Sequence, residues 1–395
     1  MNVKGADPNI LHDEKSGFFY AYVTTGDTTP FGIYKSKDMI NWVYVGQALD
    51  TSKNNWAKDW FWAPECYYNP NNGHYYLFYS ARLKKELTEE YFGRPDFEED
   101  AKIGVAVSSS PEGPFVNITN RPMDYYPYDP NYVDVDEIYE QTFEAKYSEE
   151  ERAKAPRGVY LSSIDANLFI DDDGRTYLFY SRCCYKDVVY DKEFKKYYEE
   201  SDIVAVELDN SFWLDPKAET MPKPKEEYIS INPKNGRRED KFIDIINYSS
   251  QPQKWENGHI FDYDLGKGGK RNRRWSEGSS TFILNLGGKK TYCLTYSCNH
   301  FMNELYGVGI AYSSSPLGPY KKFEGNPIIH QIPEQPVFST GHGSPIEVNG
   351  EWYYLFHGRE KKEEDRILYL TKFQVKGDKI YASKLIKCNL MEKLT

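Results

Sequence analysis

A chain of 395 residues is long enough for two or three domains, although single all-β propellers also reach this size. Its 49 Lys and Arg against 60 Asp and Glu give a formal charge of −11, which argues against a nucleic-acid partner. Aromatic residues at 16% exclude a disordered chain, and no apolar run reaches the ~20 residues of a membrane helix.

The first residues, Met1 to Ala6, carry no apolar signal region. As written the chain reads as cytoplasmic, or as exported by a leader already removed. Six cysteines are too sparse for a disulfide scaffold, and the Cys183-Cys184 pair has no metal-binding spacing, so buried thiols are expected. The 35 Tyr and 8 Trp suit recognition of ligands that are part apolar and part polar, sugars among them.

One pattern recurs along the chain: a polar or acidic opening, an apolar strand, a tight turn, then an aromatic strand. It runs first from Asp7 through Ile10 and Leu11, turns at Gly17, and returns through Phe18 to Tyr22. The second copy opens at Ala63-Pro64-Glu65, turns at Asn72-Gly73, and returns through Tyr75 to Tyr79. The third opens at Asp165, turns at Asp173-Gly174 and returns through Tyr177 to Tyr180. The fourth opens at Glu277 and turns at Gly287-Gly288; the fifth opens after His342 and turns at Asn349-Gly350. Asn-Gly and Asp-Gly turns mark hairpins. A second hairpin follows each, as at Ile103–Val107 and Gly307–Tyr312. Two hairpins per repeat make a four-stranded antiparallel blade, and five repeats predict an all-β, five-bladed β-propeller. Charged inserts are expected at roughly 84–100, 122–157 and 187–274, shaping a pocket within one domain spanning 1–395.

The openings carry the chemistry. Each first strand lies innermost, so Asp7, Asp165 and Glu277 are expected at equivalent repeat positions around a central channel. Any single acid is explained by turn capping or a solvated strand end. Three brought together are not, because carboxylates crowded into one cavity have their pKa values forced apart. One carboxyl then stays protonated as an acid while another stays ionised as a base.

At these residues the chain resembles glycoside hydrolase family 43. The resemblance rests on Ala6-Asp7-Pro8-Asn9-Ile10, Trp62-Ala63-Pro64-Glu65, Ile164-Asp165-Ala166-Asn167, Ser276-Glu277-Gly278 and Thr340-Gly341-His342-Gly343-Ser344. Two elements depart from the family pattern, with Ala166 and Ser279 standing where proline is usual. The resemblance implies inverting hydrolysis of a pentosyl linkage, with Asp7 as general base, Glu277 as general acid and Asp165 tuning and orienting Glu277. It also implies Trp62 as a sugar platform, His342 at the propeller centre and Arg359 holding sugar hydroxyls, with Phe31 a further pocket residue. No cofactor is required, although a structural Ca²⁺ in the central channel, reached from His342 through water, fits the resemblance. The expected partners are arabinose- or xylose-containing oligosaccharides or polysaccharides, and α-L-arabinofuranosidase with β-xylosidase activity is the expected function. Two rivals are weighed. A retaining fructan-cleaving propeller would use Asp7 and Glu65 but leaves the acids of the third and fourth repeats unexplained. A catalytically inactive sugar-binding propeller has no reason to keep all three acids.

Overall fold

The aromatic return strands show why the chain folds as it does. In the computed structural model, Tyr75, Leu77 and Tyr79 of strand His74–Leu83 pack toward the preceding repeat, whereas Tyr76 and Phe78 pack toward the following one. The strand is thus buried on both faces, and its sequence reads as a continuous apolar run rather than an alternating one. The same division holds around the molecule, so that five hydrophobic clusters each fill the space between two neighbouring sheets. The structure describes residues 1–133, 157–191, 196–257, 263–264 and 270–393.

All five predicted hairpins form, with antiparallel closing pairs at Asp13–Phe18, Asn69–His74, Ile170–Thr176, Leu286–Lys289 and Val348–Glu351. Each leads into an antiparallel meander, and together the meanders form a five-bladed β-propeller. Blade one is Ala6–Asp13, Phe18–Thr24, Gly32–Ser36 and Asn41–Gln47. Closure joins its outer edge to strand Asn389–Leu390, while Leu368 N–H donates to the Val3 carbonyl at 3.0 Å.

The long inserts resolve differently. The first folds in part as a helix, Lys85–Phe92, which buries Tyr91 against Tyr126. Within the second, Tyr128–Val133 pairs with Arg157–Tyr160, and residues 134–156 lie outside the described residues. The third is not merely an insert. Ile203–Val206, expected in the third repeat, lies in strand Lys196–Glu207, Ile243–Ile246 adds that blade's outer strand, and Tyr198–Ser201 pairs in parallel with Asn272–Trp275 to fuse blades three and four. Residues 192–195, 258–262 and 265–269 of this stretch lie outside the described residues. The five described cysteines are buried and free.

Candidate active site

Every innermost strand carries a bulge where its register with the next strand slips. At each bulge one residue turns to positive φ: Asp7 at 51°, Ala63 at 48°, Asp165 at 56°, Gly278 at 59° and His342 at 38°. Bulges re-aim a side chain and free a backbone N–H from the ladder. Here each freed N–H donates to a side chain on the return strand of the neighbouring blade. Ala63 reaches Thr24 Oγ1 at 2.8 Å, Asp165 reaches Ser80 Oγ at 2.8 Å, and His342 reaches Ser297 Oγ at 2.8 Å. Gly278 reaches Ser181 Oγ at 3.3 Å, and Asp7 closes the circle on His357 Nδ1 at 3.0 Å. The five positions are therefore equivalent by hydrogen bonding as well as by backbone conformation.

This ring corrects one expectation. Asp7, Asp165 and His342 share the equivalent position, but Glu277 stands one residue before it, where the second blade has Trp62. Gly278 takes the bulge instead. Its absent side chain matters, because a Cβ there would lie 2.6 Å from the His342 ring. Gly278→Ala is expected to cost about 1–3 kcal/mol in stability and to push His342 away from Asp7. Thermal denaturation together with kcat/KM would check this, and a variant matching the parent in both would refute the close packing.

Asp7, Asp165, Glu277, Trp62 and His342 all line one pocket of about 130 Å³. That is small beside the roughly 300–1,000 Å³ of pockets for drug-sized ligands. Arg366 also lines it, and its Nη1 lies 3.3 Å from Asp7 Oδ1. His342 Nδ1 lies 3.3 Å from the same oxygen. Burial alone would raise the Asp7 carboxyl, but Arg366 and His342 outweigh it and hold the group well below the usual carboxylate range. His357 Nδ1 is also near, at 3.5 Å from Asp7 Oδ1, yet it accepts the Asp7 N–H. Burial and the Arg366 charge push its pKa well down, so His357 is neutral and forms no ion pair.

Asp165 is the opposite case. Burial pushes its carboxyl up to about 7, with the negative charges of Glu277 and Asp7 adding to the rise against the pull of His342. Its Oδ2 accepts from Ser181 Oγ at 3.1 Å and from the Gly278 N–H at 3.2 Å, so it braces the peptide following Glu277. The Glu277 carboxyl is held at both oxygens, by Tyr306 OH at 2.7 Å and by Trp275 Nε1 at 2.6 Å.

Trp62 is fixed at its edge and on one face. Its Nε1 donates to Asp27 Oδ1 at 2.8 Å, and its ring stacks on Trp60 with centroids 4.5 Å apart. Arg82 lies over the Trp60 ring at 4.3 Å and is gripped by both oxygens of Asp59 at 2.6 Å. Two expected pocket residues lie elsewhere. Phe31 is 0% exposed and packs against Phe61 and Tyr79 between blades one and two, so it is core rather than pocket. Arg359 lines an adjoining groove, and the arginine that meets Asp7 is Arg366.

Sequence reasoning passed over Arg366, His357, Tyr306 and Trp275. Trp275 carried the clearest signal, being two residues from Glu277 on the same strand and so on the same face. Burial lowers the His342 pKa, but Asp7 and Asp165 together raise it to about 9. A Ca²⁺ reached from His342 through water needs no direct imidazole ligand. Among the described residues no group of three or more His, Cys, Asp or Glu could hold a metal.

Comparison with known proteins places the chain among glycoside hydrolases. The profile of glycosyl hydrolases family 43 matches residues 1–147 and 188–381. A β-xylosidase of Xylanibacter ruminicola is 24% identical over 309 residues, which cover 76% of this chain and 66% of that protein. This chain thus spans just under two-thirds of that relative. An endo-1,4-β-xylanase structure from Bacteroides thetaiotaomicron VPI-5482 superposes with a TM-score of 0.64 at 26% identity, covering 99% of this chain and 98% of that one. The Cellvibrio cellulosa α-L-arabinanase complexed with arabinohexaose shares the fold, with a TM-score of 0.59 at 15% identity and coverage of 99% and 100%.

Proposed function

The chain belongs to glycosyl hydrolases family 43, and from that premise we propose that it removes terminal or side-chain pentosyl residues with inversion of configuration. The observation carrying this reading is that one small pocket holds Asp7 well below the usual carboxylate range while Asp165 is pushed up to about 7. A site so divided keeps a base ionised and a proton in reserve at the same pH. Asp7 takes a proton from water as the water oxygen bonds to the anomeric carbon. Glu277 gives its proton to the glycosidic oxygen as the carbon–oxygen bond breaks. Asp165 positions Glu277 through the Gly278 peptide. Trp62, backed by Trp60 and Arg82, offers its free face to the sugar.

The pocket volume suits one sugar ring rather than a bound chain, which supports exo action. α-L-Arabinofuranosides are the proposed first substrates. β-Xylosides are the second, a reading supported by the Xylanibacter relative. No step is assigned to a metal or cofactor. NMR detection of the first-formed anomer from an arabinofuranosyl or xylosyl aryl glycoside tests the proposal. Inversion supports it, retention overturns the assignment of Asp7 as base, and no turnover reduces the protein to a sugar binder.

The pH profile follows with a definite sign. Ionising Asp165 adds a negative charge beside the acid, so kcat/KM is expected to fall as pH rises through about 7. The base must stay ionised, so the acid limb is expected below the usual carboxylate range. A pH–rate series in constant ionic strength checks both limbs. A plateau extending to pH about 9 would show that Asp165 does not govern the alkaline side.

A further inference from the structure

Trp62, Asp27 and Arg366 line both the catalytic pocket and a second groove of about 420 Å³ beside it. Arg359 lines that groove at the end of strand Glu351–Arg359, and it is only 8% exposed. Its Nη1 donates to the Glu364 carbonyl, while Nε is buried without a partner. Among the described residues no carboxylate lies within ion-pairing distance of its guanidinium. The acids around it are engaged elsewhere, Asp365 alone acting on it through space. Glu360 accepts from Lys387 at 2.8 Å, Asp365 pairs with Lys4 at 2.8 Å, and Asp7 is held by Arg366 and His342. Burying a guanidinium without a counter-charge is unfavourable, and leaving its donors unmet adds to the cost.

The geometry points to this groove as a subsite for a sugar carboxylate, a uronate attached to or adjoining the pentosyl unit released next door. A guanidinium fork matches a carboxylate in shape and charge, whereas a neutral hydroxyl leaves the charge uncompensated. Asp27 faces the same groove as an acceptor for sugar hydroxyls, and Asp365, paired with Lys4, also lines it. The pairing of one unmatched cation with one acceptor is what a uronate ring needs. Its placement next to the scissile bond rests on the hydrolase reading above; the binding of the carboxylate does not.

Calorimetric titration of the full chain with D-glucuronate and with D-glucose tests the subsite without any turnover. Glucuronate is expected to bind about tenfold more tightly or better, the usual size of a charged hydrogen bond. Arg359→Gln is expected to make the two sugars equal, and Arg359→Lys to keep part of the difference, which separates lost charge from lost fold. The ratio of kcat/KM for arabinoxylo-oligosaccharides with and without a glucuronosyl substituent is expected to fall toward unity in Arg359→Gln. Equal binding of the two sugars by the parent overturns the proposal. Sulfate competing as well as glucuronate also overturns it, leaving a general anion site. A chain that binds glucuronate yet cleaves no pentoside would refute the hydrolase reading and leave the subsite standing.

Discussion

Asp7→Asn is expected to lower kcat by about 10²–10⁴-fold, the range of general-base catalysis, with little change in KM. Asparagine keeps the size of the side chain, and its oxygen can still accept from Arg366 and His342, whose atoms lie 3.3 Å away. What it cannot do is take a proton from water. The substitution also strips the negative charge that offsets two buried or half-buried cations. The His342 pKa, now raised to about 9 chiefly against burial by Asp7, should therefore drop. NMR titration of the His342 ring would register that drop even where activity is too low to measure. Retention of more than about a tenth of the parent rate would remove Asp7 from the base role.

Glu277→Gln is expected to divide substrates by their leaving groups. Xylo-oligosaccharides and alkyl glycosides, which depart only when protonated, should lose about 10²–10⁴-fold in kcat/KM. Nitrophenyl glycosides depart unaided and should lose less than about tenfold. Some loss remains because glutamine reverses the hydrogen bond with Tyr306. Its carbonyl can accept from the donor-only Trp275 Nε1–H while its NH₂ donates to the Tyr306 oxygen, so the contact survives only with the Tyr306 hydroxyl hydrogen turned elsewhere. Equal losses across leaving groups would assign Glu277 a role other than proton donation.

The propeller was legible because its hairpin turns and aromatic strands repeat, and because burial on both faces leaves an unbroken apolar signature. Asp7 and Asp165 were legible for a related reason: their bulges recur at one position per blade. Glu277 was placed at the right end of its blade but one residue out of register, because a slipped register cannot be counted from turn spacing. Phe31 looked like a pocket residue and proved to be core, since an aromatic side chain reads alike in either setting. Arg366 and His357 come from the last blade, brought to Asp7 by ring closure, and nothing local in the chain marks them. Arg359 and Arg366 are seven positions apart, and only three-dimensional structure tells which one meets the base. The third insert hid the outer strand of its blade because Ile243–Ile246 is short and lies far along the chain from its partner.

The circle of bulge hydrogen bonds has one link unlike the rest. Four end on hydroxyls, and the fifth, from the Asp7 N–H to His357 Nδ1, spans the join between last blade and first. Arg366, the main cation on Asp7, comes from that same last blade. The proton acceptor is thus set in place by the latch that shuts the molecule, not by its own sheet. A chain cut before the fifth blade would keep all three acids, yet it would be expected to lie idle, because the keystone that seats the first of them would be gone.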